Sequence, residues 1–223
     1  GHNVEFIKGG VPSGVEKFKT KFSKDEFLSL SAERVWIETQ KALISENPEE
    51  YFSVLNKADC LHYFFNLRDI KEVIDLIEHV KKKYVGDVER WAAVNSLSID
   101  QKKTNELLKI PKKFSKLYDK IQECIRLFTQ KNSDLEILDS LHKISFFRES
   151  SSARKAMELC GDLLKLRGSS LSLEPSIMLN IADKLEESKI EINHSLKDMK
   201  DEDKKSKLSE LRLNIIRKTR TNL

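Results

Sequence analysis

Within the stretch Leu30 to Leu55, Ala32, Val35, Trp36, Thr39 and Leu43 recur at i, i+3, i+4, i+7 and i+11, the spacing of one buried helical face. Ser31 stands at the N-cap of that helix. Asn47, Pro48 and Glu50 read as N-cap, first helical residue and N3 carboxylate of a second helix, whose Tyr51, Phe52 and Leu55 fold back on the first. The pattern therefore predicts a helical hairpin, preceded by two short amphipathic pieces at Val15 to Phe22 and Asp25 to Leu30. After an apolar patch at Cys60 to Phe65, helical periodicity returns from Asp69 to Tyr84, with Gly86 as its stop, and from Val88 to Ser96 behind a capping Asp87. A turn or two follows at Ile99 to Leu108. From Pro111 to Phe128 the residues Phe114, Leu117, Tyr118, Ile121, Cys124, Ile125 and Phe128 form one stripe. Further helices are predicted from Asn132 to His142, closed at Ile144 to Phe147, then from Ala153 to Leu166, from Ser176 to Glu187 behind Pro175, from Ile190 to Met199 and from Lys204 to Thr219.

Composition agrees with this all-α reading: the 223 residues include only seven Gly and four Pro, against 34% charged and 39% apolar. Gly9, Gly10, Pro12 and Gly14 make residues 1–14 a flexible lead-in. Forty basic and 36 acidic residues leave a formal net charge of +4, so any attraction to nucleic acid has to come from clustering. Cys60, Cys124 and Cys160 are odd in number and widely spaced, which reads as buried thiols in a reducing compartment rather than a disulfide framework or zinc site. No apolar run approaches the roughly 20 residues that span a bilayer, and no signal peptide is recognisable, so a cytoplasmic location is expected.

The run Leu30-Ser31-Ala32-Glu33-Arg34-Val35-Trp36, followed by Glu38, Lys41, Ala42 and Leu43, the Asn47-Pro48 break, Tyr51-Phe52 and Leu55, resembles the neck-to-body segment of bacterial tRNA nucleotidyltransferases, the CCA-adding enzymes, and of their poly(A) polymerase relatives. The resemblance continues in order through Arg90-Trp91-Ala92-Ala93-Val94, Leu108-Lys109-Ile110-Pro111, Leu138-Asp139-Ser140-Leu141 with Phe147-Arg148, Pro175 with Ile181 to Leu185, and Ile190-Glu191-Ile192 with Leu196 and Arg212. It implies an elongated array of helices, with a neck-like portion over 15–58, a body over 59–170 and C-terminal tail helices over 171–223. In that array Arg34, Trp36 and Trp91 are structural residues.

The same resemblance exposes missing chemistry. The family's catalytic head needs a Gly-Ser phosphate loop and a DxD pair holding two magnesium ions, and selects CTP or ATP with an Asp and an Arg ahead of the neck. Upstream of Leu30 there is neither a Gly-Ser nor a DxD. No catalytic residue, metal or cofactor is therefore expected in this chain; magnesium and CTP or ATP belong to a head elsewhere in the parent chain. Some relatives carry a His-Asp phosphohydrolase pair after an RFAAL-like run, but here Asn95-Ser96 follow Arg90 to Val94. Glu78-His79, His62, His142 and His194 have no partner at ligand or catalytic spacing.

Two basic groupings carry the binding chemistry. Lys112, Lys113, Lys116 and Lys120 lie opposite the Phe114 to Phe128 stripe, where they can track a phosphate backbone or simply solvate an amphipathic helix. Arg217 and Lys218 belong to a basic last turn that suits either RNA or the helix macrodipole. The resemblance favours RNA in both, because the family's body and tail hold tRNA by shape and phosphate contacts. The expected function is thus to position tRNA or other structured RNA for a CCA-adding or poly(A)-adding head; a self-standing helical adaptor for a protein partner is the alternative.

Overall fold

The computed structural model describes residues 29–67 and 69–221. The lead-in over 1–14, the piece at Val15 to Phe22 and most of Asp25 to Leu30 lie outside them. Among the described residues there are twelve helices and no strand, and the chain divides into two compact units with the break between Tyr118 and Asp119.

In the first unit, α1 (Ala32–Ile44) and α2 (Pro48–Lys57) form the hairpin that periodicity predicts. The Ser31 hydroxyl accepts from the Arg34 amide at 3.3 Å, as its N-cap position requires. The two helices are tied by the buried Thr39 and Tyr51 hydroxyls, 2.9 Å apart. Asn47 precedes α2 without capping it by its side chain; its amide oxygen accepts from Lys81 Nζ at 3.4 Å instead. Then come α3 (Leu61–Phe64), α4 (Ile70–Val80), α5 (Asp87–Asn95) and α6 (Gln101–Leu107). Helix α4 packs on α2, and α5 packs on both α1 and α4.

The core between these helices is aromatic. Trp36 meets Trp91 edge to face at 5.0 Å and Phe114 at 4.7 Å, while Phe52 and Phe65 pack at 5.6 Å. The connection after α4 differs from the sequence expectation. The helix stops at Val80, not at Gly86, and Gly86 is the N-cap of α5, with Asp87 already helical. The reason is local: the Asp87 carboxylate accepts from Gln40 Nε2 at 3.0 Å, and the carbonyls of Lys81 and Tyr84 turn toward Arg90 instead of continuing the helix.

Helix α7 (Lys112–Thr129) straddles the break between the units. In the second unit it is followed by α8 (Asp134–Lys143), α9 (Ser150–Leu166), α10 (Pro175–Glu187), α11 (Lys189–Leu196) and α12 (Asp201–Thr221). Helix α8 begins with a full capping box, Ser133 and Glu136 each bonding the other's backbone amide. Helix α10 packs on α9 and α12, and α12 also covers α8. Gly161 permits the α9 to α10 approach, since a Cβ there would come within 2.9 Å of Pro175. Cys124 and Cys160 are buried free thiols; burial pushes Cys124 well above its ordinary pKa and Cys160 up to about 12.

Four helices end alike. After α2, α6, α8 and α9 the chain places Asp59, Lys109, Ser145 and Gly168 in the left-handed region, at φ of 58°, 51°, 60° and 61°. The amide of the next residue then reaches back to the third-last helical carbonyl: Cys60 to Leu55 (2.9 Å), Ile110 to Asn105 (2.9 Å), Phe146 to Leu141 (2.9 Å) and Ser169 to Leu164 (3.0 Å). Each is a Schellman cap that satisfies carbonyls a helix end leaves open.

Candidate nucleic-acid interface

The stripe of α7 fixes where its lysines go. Phe114, Leu117, Ile121, Cys124 and Phe128 are buried, which turns Lys112, Lys113 and Lys116 outward at the N-terminal end of the helix. Lys113 Nζ lies 4.6 Å from the centre of the Phe114 ring and 4.0 Å from the Asp87 carboxylate. Around them Lys109 pairs with Glu33, and Lys102 lies 3.9 Å from Glu106. Lys112 and Lys116 make no ion pair among the described residues, so they are the uncommitted charges of this face.

Lys120 does not belong to it. At about 100° per residue Lys120 keeps the angular register of the other lysines, yet it is only 8% exposed. The start of α9 lies over that turn: Lys120 Nζ donates to Glu149 Oε2 at 2.8 Å and to Ser152 Oγ at 2.9 Å. Helical angle alone identifies a face; a neighbouring element decides whether water reaches it. Lys120 is thus a buried tether, and the expected four-lysine face reduces to three.

On α12, Arg217 and Lys218 are both exposed but differently placed. Arg217 Nε donates to Asp134 at 3.4 Å, and Arg220 donates to the same carboxylate at 2.5 Å, so Arg217 shares in holding α12 to the start of α8. Lys218 lines a groove of about 530 Å³ with Lys184, Asn180 and Asn214. Arg34 is exposed on α1, whereas Trp36 and Trp91 lie in the core. Asn95 is buried, its amide donating to Asn105 Oδ1 at 3.4 Å, and Ser96 Oγ donates to the Ala93 carbonyl at 2.6 Å. Neither amide nor hydroxyl supplies an imidazole or carboxylate, and among the described residues no group of three or more His, Cys, Asp or Glu is placed to hold a metal. His62, His79, His142 and His194 are all exposed; the His62 ring lies 4.1 Å from that of Tyr63 and the His142 ring 4.7 Å from that of Phe147. No helix among the described residues is long and apolar enough to cross a membrane.

Two polar centres escape a reading by periodicity. Arg90 is 6% exposed and donates to four main-chain carbonyls: Tyr84 (2.6 Å), Leu43 (2.5 Å), Ser45 (3.1 Å) and Lys81 (3.3 Å). A charged residue opening the apolar run Trp91 to Val94 was the available signal. Glu123 on α7 accepts from Arg126 Nη2 (2.7 Å) and from Ser140 Oγ (2.7 Å). Burial opposes its ionisation, but these hydrogen bonds and the charges of Arg126 and Lys143 hold its pKa below the usual carboxylate value.

Comparison with known proteins finds similarity over a limited stretch. The chain is 50% identical over 51 residues to the CCA-adding enzyme of Actinobacillus succinogenes, covering 23% of this chain and 13% of that protein. It is 56% identical over 45 residues to the CCA-adding enzyme of Blochmanniella floridana, covering 20% and 11%. The multifunctional CCA protein of Actinobacillus pleuropneumoniae is 41% identical over 55 residues, covering 25% and 13%. The chain therefore spans between 11% and 13% of the length of these relatives. No family model and no solved structure matches it. Part of this helical chain is thus similar to CCA-adding enzymes.

Proposed function

We propose that this chain is an RNA-holding helical portion of a CCA-adding or poly(A)-adding nucleotidyltransferase, positioning tRNA or another structured RNA for catalytic residues that lie outside it. Two facts support the reading: the similarity to CCA-adding enzymes, and the exposed Lys112, Lys113 and Lys116 at the start of α7, two of them free of carboxylate partners among the described residues. The lysine face carries it. A row of solvated ammonium groups on a rigid helix neutralises backbone phosphates without reading bases, which gives shape-dependent and sequence-tolerant binding. Arg217 and Lys218 add a second basic point on α12. Trp36 and Trp91 are buried, so base stacking on them plays no part.

The test is filter binding of tRNA to the purified chain at several salt concentrations. With three lysines engaged, log K should fall with log salt at a slope of roughly −2 to −3, and with modest affinity. Changing Lys112 and Lys116 together to Glu should change stability by less than about 1 kcal/mol while weakening binding and flattening the slope. Lys120→Glu serves as the contrast. It buries an acid against Glu149 and should cost about 2–4 kcal/mol of folding stability. Unchanged tRNA affinity in the folded Lys112/Lys116 variant would leave those lysines as solubilising charges and favour the protein adaptor.

A further inference from the structure

The second unit contains a recess of about 200 Å³. Three cations line it: Arg148 from the turn before α9, Lys189 at the start of α11 and Arg212 on α12. Its floor is apolar, with Leu185, Ile192 and Leu208.

Arg212 is the unusual member. Its guanidinium carbon lies 3.5 Å from the centre of the Phe147 ring, and it makes no hydrogen bond or ion pair with a described residue. Stacking fixes the plane of the guanidinium and leaves its N–H groups pointing along that plane, the arrangement that meets a planar or tetrahedral oxyanion side on. Burial pushes its pKa down, which means the charge is partly stripped of water without receiving a counter-ion in exchange. The one carboxylate at the recess, Glu186, is already engaged by Arg154 at 2.6 Å and by Ser150. Arg148 has only a 3.4 Å approach to Ser145 Oγ, and Lys189 has no ion pair among the described residues. Around this small concavity an oriented guanidinium and two further cations outnumber the single carboxylate, whose partner Arg154 also pairs with Asp183 at 2.7 Å, and the surplus of positive charge selects an anion about the size of one phosphate group.

We propose that this recess is a phosphate-binding subsite, in which Arg212 presents a fixed guanidinium edge and Arg148 and Lys189 close on the same group from the rim. The proposal rests on the RNA reading above for the source of the phosphate, a backbone phosphodiester of the bound RNA. A free phosphate-bearing small ligand is the other source of the same chemistry.

The experiment uses the whole chain, tRNA and sulfate, a non-titrating stand-in for a phosphate. Arg212→Lys keeps the charge but loses the stacked planar fork, and Lys189→Gln alters only an exposed side chain, so the second remains informative even where the first perturbs folding. Arg212→Lys should weaken tRNA binding about tenfold, and Lys189→Gln should make the salt slope shallower by about 1. His142 provides an independent readout. Its ring lies 4.7 Å from that of Phe147, and its pKa is lowered by burial and by the Arg212 charge, against Asp139, which raises it. Sulfate bound at Arg212 removes part of that repulsion, so the His142 NMR titration midpoint should rise in sulfate relative to chloride at equal ionic strength, and should not in Arg212→Gln. A sulfate response with tRNA affinity untouched by the recess variants assigns the site to a small phosphate ligand. Unaltered tRNA affinity in both variants together with a silent His142 overturns the subsite, and the RNA reading survives if the Lys112/Lys116 variant is still weakened. Absence of tRNA binding by the parent chain defeats the RNA reading instead, and the sulfate response of His142 then decides the recess alone.

Discussion

Replacing Arg90 by methionine should lower folding stability by about 3–5 kcal/mol. Methionine fills much of the volume and keeps the apolar packing, so the loss isolates the hydrogen bonds. Arg90 serves the ends of two helices: Leu43 and Ser45 close α1, and Lys81 and Tyr84 follow α4. Those carbonyls lie where helices leave acceptors open, and without the guanidinium they are buried beside an apolar side chain. Arg90→Lys should recover only part of the loss, because an ammonium cannot span four acceptors in a planar fork. Urea denaturation of the three proteins measures the difference. A loss under about 1 kcal/mol in the methionine variant would mean that water reaches these carbonyls and that the guanidinium is dispensable.

Trp36→Ala should cost about 3–5 kcal/mol by cavity formation alone. Trp36 is 4% exposed and sits edge to face with both Trp91 and Phe114, so truncation removes two aromatic contacts as well as buried area. Because Phe114 lies on α7 between Lys113 and Lys116, the cavity should also loosen the base on which those lysines stand. Trp36→Phe should recover more than half of the stability. Thermal melts and tRNA binding measured together discriminate between roles: a variant that melts like the parent but binds tRNA weakly would make Trp36 a base-stacking residue.

The hairpin of α1 and α2 was legible because its information is local: a periodic apolar face, a hydroxyl cap at Ser31 and a proline at the first turn of α2. The stripe of α7 was legible for the same reason. Lys120 was misplaced because its burial depends on Glu149 and Ser152, about thirty residues away in sequence and brought near only when the second unit folds. Arg90 was read as a landmark in a run of residues while its partners were invisible, since main-chain carbonyls carry no sequence signature. The stack of Arg212 on Phe147 likewise joins residues far apart in the chain. Helix ends were misjudged where the search was for glycine. Of the four Schellman caps only the one at Gly168 announces itself, and those at Asp59, Lys109 and Ser145 look like ordinary polar residues.

Those three caps bear on how the chain can vary. An L side chain held at positive φ stores unfavourable energy that glycine does not, roughly 1 kcal/mol or somewhat more at each position. Asp59, Lys109 and Ser145 sit outside the packed core, so relieving the strain there disturbs no apolar contact of the kind that fixes the fold. The chain consequently holds a margin of robustness: a lineage or a laboratory selection can accept a damaging change elsewhere in the fold, then restore foldedness by a compensating glycine at one of these three helix ends.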